Sequence, residues 1–138
     1  MNRSDLQQLA RTRLREATYL LDGGFTGGAY YLAGYAVECG LKACIAKQTR
    51  RSEFPPDPGT ISKIYTHDLV RLVKQAGLEP LHARELAKDA AFLQYWSIVK
   101  DWSEQVRYET RTIVQARDLH RAITDPRHGV MRWLRRHW

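Results

Sequence analysis

An all-α chain, folded as an up-and-down bundle of four to six helices, is what this 138-residue sequence predicts. Three observations predict it. Apolar residues recur at helical spacing in most segments, no stretch shows convincing period-2 alternation, and one run, "GAYYLAGYAVECGLKACIAK" from Gly28 to Lys47, is apolar almost all the way round. With 43% hydrophobic content the chain is long enough for one domain with a real core, spanning 1–138, and too short for two comfortable ones.

Ser4 and Gln7 form a candidate capping box, after which Leu6, Leu9, Ala10, Leu14, Ala17, Leu20 and Leu21 mark the apolar stripe of a first helix that Gly23 and Gly24 end. Thr26 is expected to cap the second helix, the apolar run. Glu38 and Lys42 interrupt that run and no comparable segment follows, which excludes a membrane span and favours a core helix. Its small residues, Ala33, Gly34, Ala36, Gly40 and Ala43, let neighbouring helices come close. Residues 48–65, with three prolines and one glycine, read as a long loop. Thr66 is expected to cap a third helix, His67 to Ala76, which Gly77 stops. A fourth starts near Pro80 and runs through Trp102, with Leu86, Ala90, Leu93, Trp96 or Ser97, and Lys100 along one face. "SEQVRYET" is a bend, Arg111 to Ile123 a fifth helix, and Asp125 with Pro126 restarts a sixth carrying Val130, Met131, Trp133 and Leu134.

Cys39 and Cys44 lie five apart, about 500° of rotation and about 7.5 Å of rise on a helix, so they cannot bridge and read as small buried hydrophobes. With no Cys/His cluster at ligand spacing, neither a metal nor a cofactor is expected. The N-terminal stretch, Met-Asn-Arg-Ser-Asp-Leu-Gln-Gln, lacks the basic-then-apolar order of a secretory signal, and a cytoplasmic location is expected. Net charge is +7 and unevenly spread: residues 107–138 hold eight arginines against Glu109, Asp118 and Asp125. Arginine suits bidentate phosphate contact, so Arg111, Arg117, Arg121, Arg132 and Arg135 are the candidate nucleic-acid contacts, although an acidic protein partner would fit the same face.

Glu38 cannot lose its hydration without a partner. Lys42, one turn on, offers an i to i+4 ion pair, and Arg107 or the Tyr108 hydroxyl from the bend is the favoured alternative. His67 either hydrogen-bonds a helix start or works as a base. Together Glu38, His67, Arg107 and Tyr108 are the candidate catalytic residues.

In order and spacing, "GAYYLAGYAVECGLKACIAK", "YTHDL", "DWSEQVRY" and "DPRHGVMRWLRRHW" resemble the HEPN domains, the higher eukaryotes and prokaryotes nucleotide-binding family, from about Leu6 to Trp138. The resemblance implies a helical bundle that forms a homodimer, partners a small nucleotidyltransferase, and serves a toxin–antitoxin, defence or RNA-processing system with RNA or nucleotide as a further ligand. If such a transferase modifies the chain, Tyr108 is the hydroxyl to examine first. Catalytic members are metal-independent ribonucleases marked by Arg, four to six residues, then His; counting from Arg107, Thr112, Ile113 and Val114 hold no histidine. Arg121 with His128 and Arg132 with His137 lie late in the chain and are no more than chance supplies for 16 arginines and five histidines. The alternatives are thus a ribonuclease toxin and a non-enzymatic basic interaction scaffold.

Overall fold

The computed structural model describes residues 1–52, 59, 62 and 65–138. Among them it is all-helical: α1 (Arg3–Asp22), α2 (Thr26–Ser52), α3 (Leu69–Gln75), α4 (Glu79–Lys88), α5 (Ala90–Val99), a 3-10 turn (Glu104–Tyr108), α6 (Ile113–Thr124) and α7 (Val130–Arg135). That is seven helices where four to six were expected. No helix among the described residues is long and apolar enough to cross a membrane.

Several local signals lie a residue or two from where the sequence suggested. Asn2 and Asp5, not Ser4 and Gln7, make the capping box of α1: the Asn2 side chain accepts from the Asp5 amide at 2.9 Å and Asp5 returns the bond at 3.0 Å. Thr26 is the first residue of α2, and its hydroxyl donates to the Arg111 carbonyl at 2.6 Å, fastening the start of α2 to the chain leading into α6. Asp68, not Thr66, caps α3 by accepting from the Arg71 amide. Helix α2 continues to Ser52, so the first residues of the loop expected over 48–65 are helical, and most of 53–64 lies outside the described residues.

Gly24 and Gly77 do stop α1 and α3, each by the same device. Gly24 sits at φ 81° while Phe25 donates to the Leu20 carbonyl and Gly24 to that of Leu21. Gly77, at φ 68°, repeats the pattern with Leu78 donating to Val73 and Gly77 to Lys74. These are Schellman motifs, and they need the left-handed residue that glycine supplies.

The long fourth helix is two. Asp89, at φ −128° and ψ 99°, ends α4 and begins α5, accepting from the Phe92 amide at 3.0 Å and from His128 Nδ1 at 2.8 Å. The break turns the apolar face: Phe92, Trp96 and Val99 are buried, whereas Leu93, placed on the expected face, is exposed. Asp125 likewise caps a turn, accepting from the Arg127 and His128 amides, and α7 starts only after Gly129. All four apolar residues assigned to that last helix are buried.

Helix α2 packs against α1, α3, the 3-10 turn, α6 and α7. Residues 36–41 are buried in succession, so the helix is enclosed on every side there. Trp102 lies flat enough on it that a Cβ added at Gly34 would overlap the indole. Cys39 and Cys44 are free and buried, and burial pushes their thiols up to about 11 and about 12 respectively. Opposite the α2 core, His82 sits edge-on to Trp96, Trp133 and Phe92, with ring centroids 4.5, 5.3 and 5.8 Å away. Buried Glu85 joins α4 to α7 through Arg132 at 3.1 Å.

Two outcomes follow from this packing. Gly34→Ala forces a methyl into the Trp102 ring and is expected to lower unfolding free energy by about 1–3 kcal/mol in urea titration. Burial holds the His82, His120 and His137 imidazoles below the ordinary 6.5. Between that value and their lowered folded values the unfolded chain binds more protons than the folded one, so stability is full above about pH 6.5 and falls as pH drops through this window. Urea titrations stepped from pH 7.5 to 5 should show the decline, and His82→Phe should make it shallower; a flat profile contradicts the burial argument.

Candidate functional site

One buried carboxylate organises the candidate site. Glu38 is 1% exposed, on the fully enclosed part of α2. Its Oε2 meets Lys42 Nζ at 3.2 Å and its Oε1 meets His67 Nδ1 at 2.7 Å. An ionised carboxylate only accepts, so the imidazole Nδ1–H donates here. The other ring nitrogen, Nε2, lies 3.1 Å from a Glu104 carboxylate oxygen on the 3-10 turn. His67 therefore bridges the middle of α2 to the turn, just ahead of the α3 cap.

Of the two partners weighed for Glu38, Lys42 is present and the favoured Arg107 or Tyr108 is not. Among the described residues no hydrogen bond or ion pair joins Arg107 or Tyr108 to Glu38 or His67. The Arg107 guanidinium instead stacks over the Tyr108 ring, 4.8 Å from its centroid. The Tyr108 and Tyr31 hydroxyls beside it favour its charged form and raise its pKa. Tyr108 is 74% exposed. Tyr31 in turn stacks with Tyr35 and Trp102, at 6.1 Å in each case. Burial is the main cause that pushes the Tyr35 phenol up to about 12, with Cys39 and Glu38 beside it adding to the effect. The four candidate catalytic residues thus form two pairs, one on Tyr31 and one at Glu38, about 10 Å apart along α2 by helical rise.

A hollow of about 560 Å³ opens beside the second pair. Asp68, Asp101 and Glu104 line it with His67 and Lys100. Acids outnumber the permanent cation, and a phosphate group gains little there. His67 also has its Nδ1 committed to Glu38, which leaves only the nitrogen facing Glu104 for proton transfer. No group of three His, Cys, Asp or Glu suited to a metal ion occurs among the described residues.

The candidate nucleic-acid contacts divide in the same way. Arg111 is held by Glu109 at 2.5 Å and by the Tyr30 ring at 4.6 Å, and Arg132 by Glu85. Arg117, Arg121 and Arg135 are exposed and have no carboxylate within 4.0 Å among the described residues. His120 is drawn inward, its Nε2 2.9 Å from the Thr18 hydroxyl, and His128 is tied to Asp89. Glu104, His82 and Glu85 escaped the sequence reading. For Glu85 the i+3 spacing to Lys88 was a readable signal, but its buried contact to Arg132 spans 47 residues and leaves none. Compared with known proteins, the chain matches no family model, no curated protein and no solved structure.

The Glu38–His67 contact predicts energetic coupling. In a double-mutant cycle of Glu38→Ala and His67→Ala, read by urea unfolding at pH 7, the two losses should fall short of additivity by about 1–2 kcal/mol. Additive losses would mean that the bridge carries no energy of its own.

Proposed function

We propose that this chain is a HEPN-type helical bundle that forms a homodimer and binds a small nucleotidyltransferase-type protein in a toxin–antitoxin or defence-type system. The observation that carries the partner half of the reading is the outward face of α6. Ala116, Leu119, Ala122 and Ile123 turn inward and are buried, which leaves Val114, Gln115, Arg117, Asp118 and Arg121 exposed on the opposite side. Two arginines with no carboxylate within 4.0 Å among the described residues, beside an exposed apolar residue, match the composition of a protein-binding surface. With two arginines against Asp118 the face keeps a net positive charge, which an acidic partner complements.

The homodimer is supported by a second surface. Phe25 and Tyr108 are 66% and 74% exposed, and the Thr26 hydroxyl bond to Arg111 brings the α1–α2 turn beside the segment after Tyr108. Tyr19, 81% exposed, is on the last turn of α1 before it. Large aromatics left uncovered where two segments meet favour burial against another copy. The family part of the reading rests on the order of the four motifs together with an all-helical chain.

Co-purification tests the partner. The product of the adjacent reading frame should be a small acidic nucleotidyltransferase that co-elutes with this chain, and Arg117→Glu with Arg121→Glu should weaken the complex at least tenfold by calorimetry. A neighbour of another class, or a complex indifferent to the charge reversal, contradicts the proposal. Light scattering on the eluting chain should give twice its 16.0 kDa mass.

A further inference from the structure

A groove of about 560 Å³ lies between α1 and the α6–α7 end, away from Glu38 and His67. Arg11 and Arg15 line it from α1, Arg135 from α7, and His120 with Thr18 and Thr124 forms part of the floor. Among the described residues no Asp or Glu lines it. The floor polar groups are already engaged: Thr18 donates to the Leu14 carbonyl at 3.1 Å and its oxygen meets His120 Nε2, while Thr124 donates to the His120 carbonyl at 2.7 Å. Binding chemistry in the groove therefore rests on the three guanidinium groups. Arg11 is steadied over the Trp138 ring at 5.1 Å, a contact that orients the cation without neutralising it. Arg15 and Arg135 are exposed and have no carboxylate within 4.0 Å among the described residues, whereas neighbouring Arg13 is paired with Glu16 at 2.7 Å. Three like charges gathered in one concavity repel one another until an anion enters.

We infer that this groove binds the phosphate backbone of single-stranded nucleic acid. Arg11 and Arg15 are one turn apart, roughly 6 Å along α1, a spacing that lets one strand place successive phosphates against them. Arg135 closes on the strand from the opposite wall. Guanidinium forks grip phosphate oxygens bidentately whatever the base. The site is independent of the partner face, which uses Val114, Arg117 and Arg121.

The test is fluorescence anisotropy with a labelled ten-residue oligouridylate on the full chain, across a salt series. Arg15→Ala with Arg135→Ala should weaken binding at least tenfold and reduce the slope of log affinity against log salt by about 1.4, two contacts at about 0.7 each. Lys74→Ala with Arg84→Ala removes the same charge from exposed sites on α3 and α4 and should change affinity less than threefold. Both pairs should keep the wild-type circular dichroism spectrum, because all four side chains are exposed. Absent wild-type binding at low salt, or equal losses in the two double variants, overturns the inference. So does competition by oligoglutamate at the same concentration as unlabelled oligouridylate, which would make the groove a seat for an acidic peptide. Competition by inorganic phosphate or adenosine monophosphate at that concentration would reduce it to a single-phosphate pocket and overturn the strand.

Discussion

A carboxylate inside the driest part of the molecule constrains everything around it. Glu38 is placed where α2 is enclosed on all sides, and Lys42 and His67 meet its two oxygens there in place of water. Lys42 comes from the same helix and organises nothing further. His67 arrives from 29 residues away, and by reaching Glu38 it fixes the entry to α3 and offers its second nitrogen to Glu104 on the 3-10 turn. One acid thus draws two otherwise separate stretches of chain onto the central helix.

Small residues make that arrangement possible. Gly34 leaves room for Trp102 to lie against α2, and the indole brings the 3-10 turn, with Glu104 and Arg107, to the height of Tyr31 and Glu38. Larger side chains would hold the turn away and strand the acid. The same packing divides the charge of the molecule. The hollow beside His67 is acidic, while the ionisable groups among the described residues that line the groove between α1 and α7 are three arginines and His120. A chain of net charge +7 therefore presents opposite faces to an anion, and the repelling one is where the bridged histidine sits.

The sequence made the all-helical class and α2 legible because both depend on local pattern: apolar periodicity, small-residue content and the absence of alternation. Gly24 and Gly77 were readable for the same reason, since a left-handed stop is a property of one residue. Asp89 was not. Inside "LAKDAAFL" an aspartate reads as a solvated helical position, and what makes it a break is the bond to His128 that only the folded chain provides. Asn2 and Ser4 both satisfy a capping pattern, as do Thr66 and Asp68, and backbone geometry, not composition, decides between neighbours. The need for a partner at Glu38 could be read from its burial in an apolar run, and Lys42 from its spacing. The identity of the second partner could not, because most of the chain between Glu38 and His67 carries no pattern that fixes its path. Arg107 and Tyr108 belong to Tyr31 instead, one stage nearer the start of α2.

The bridge itself can be observed at a single nitrogen. In ¹⁵N-edited spectra of the histidine side chains, the account predicts a slowly exchanging Nδ1 proton on His67 that disappears when Glu38 is replaced by leucine, which offers no acceptor. A His67 Nδ1 proton that exchanges freely with water in the native chain, or one indifferent to that replacement, would mean that the buried acid is held by something else.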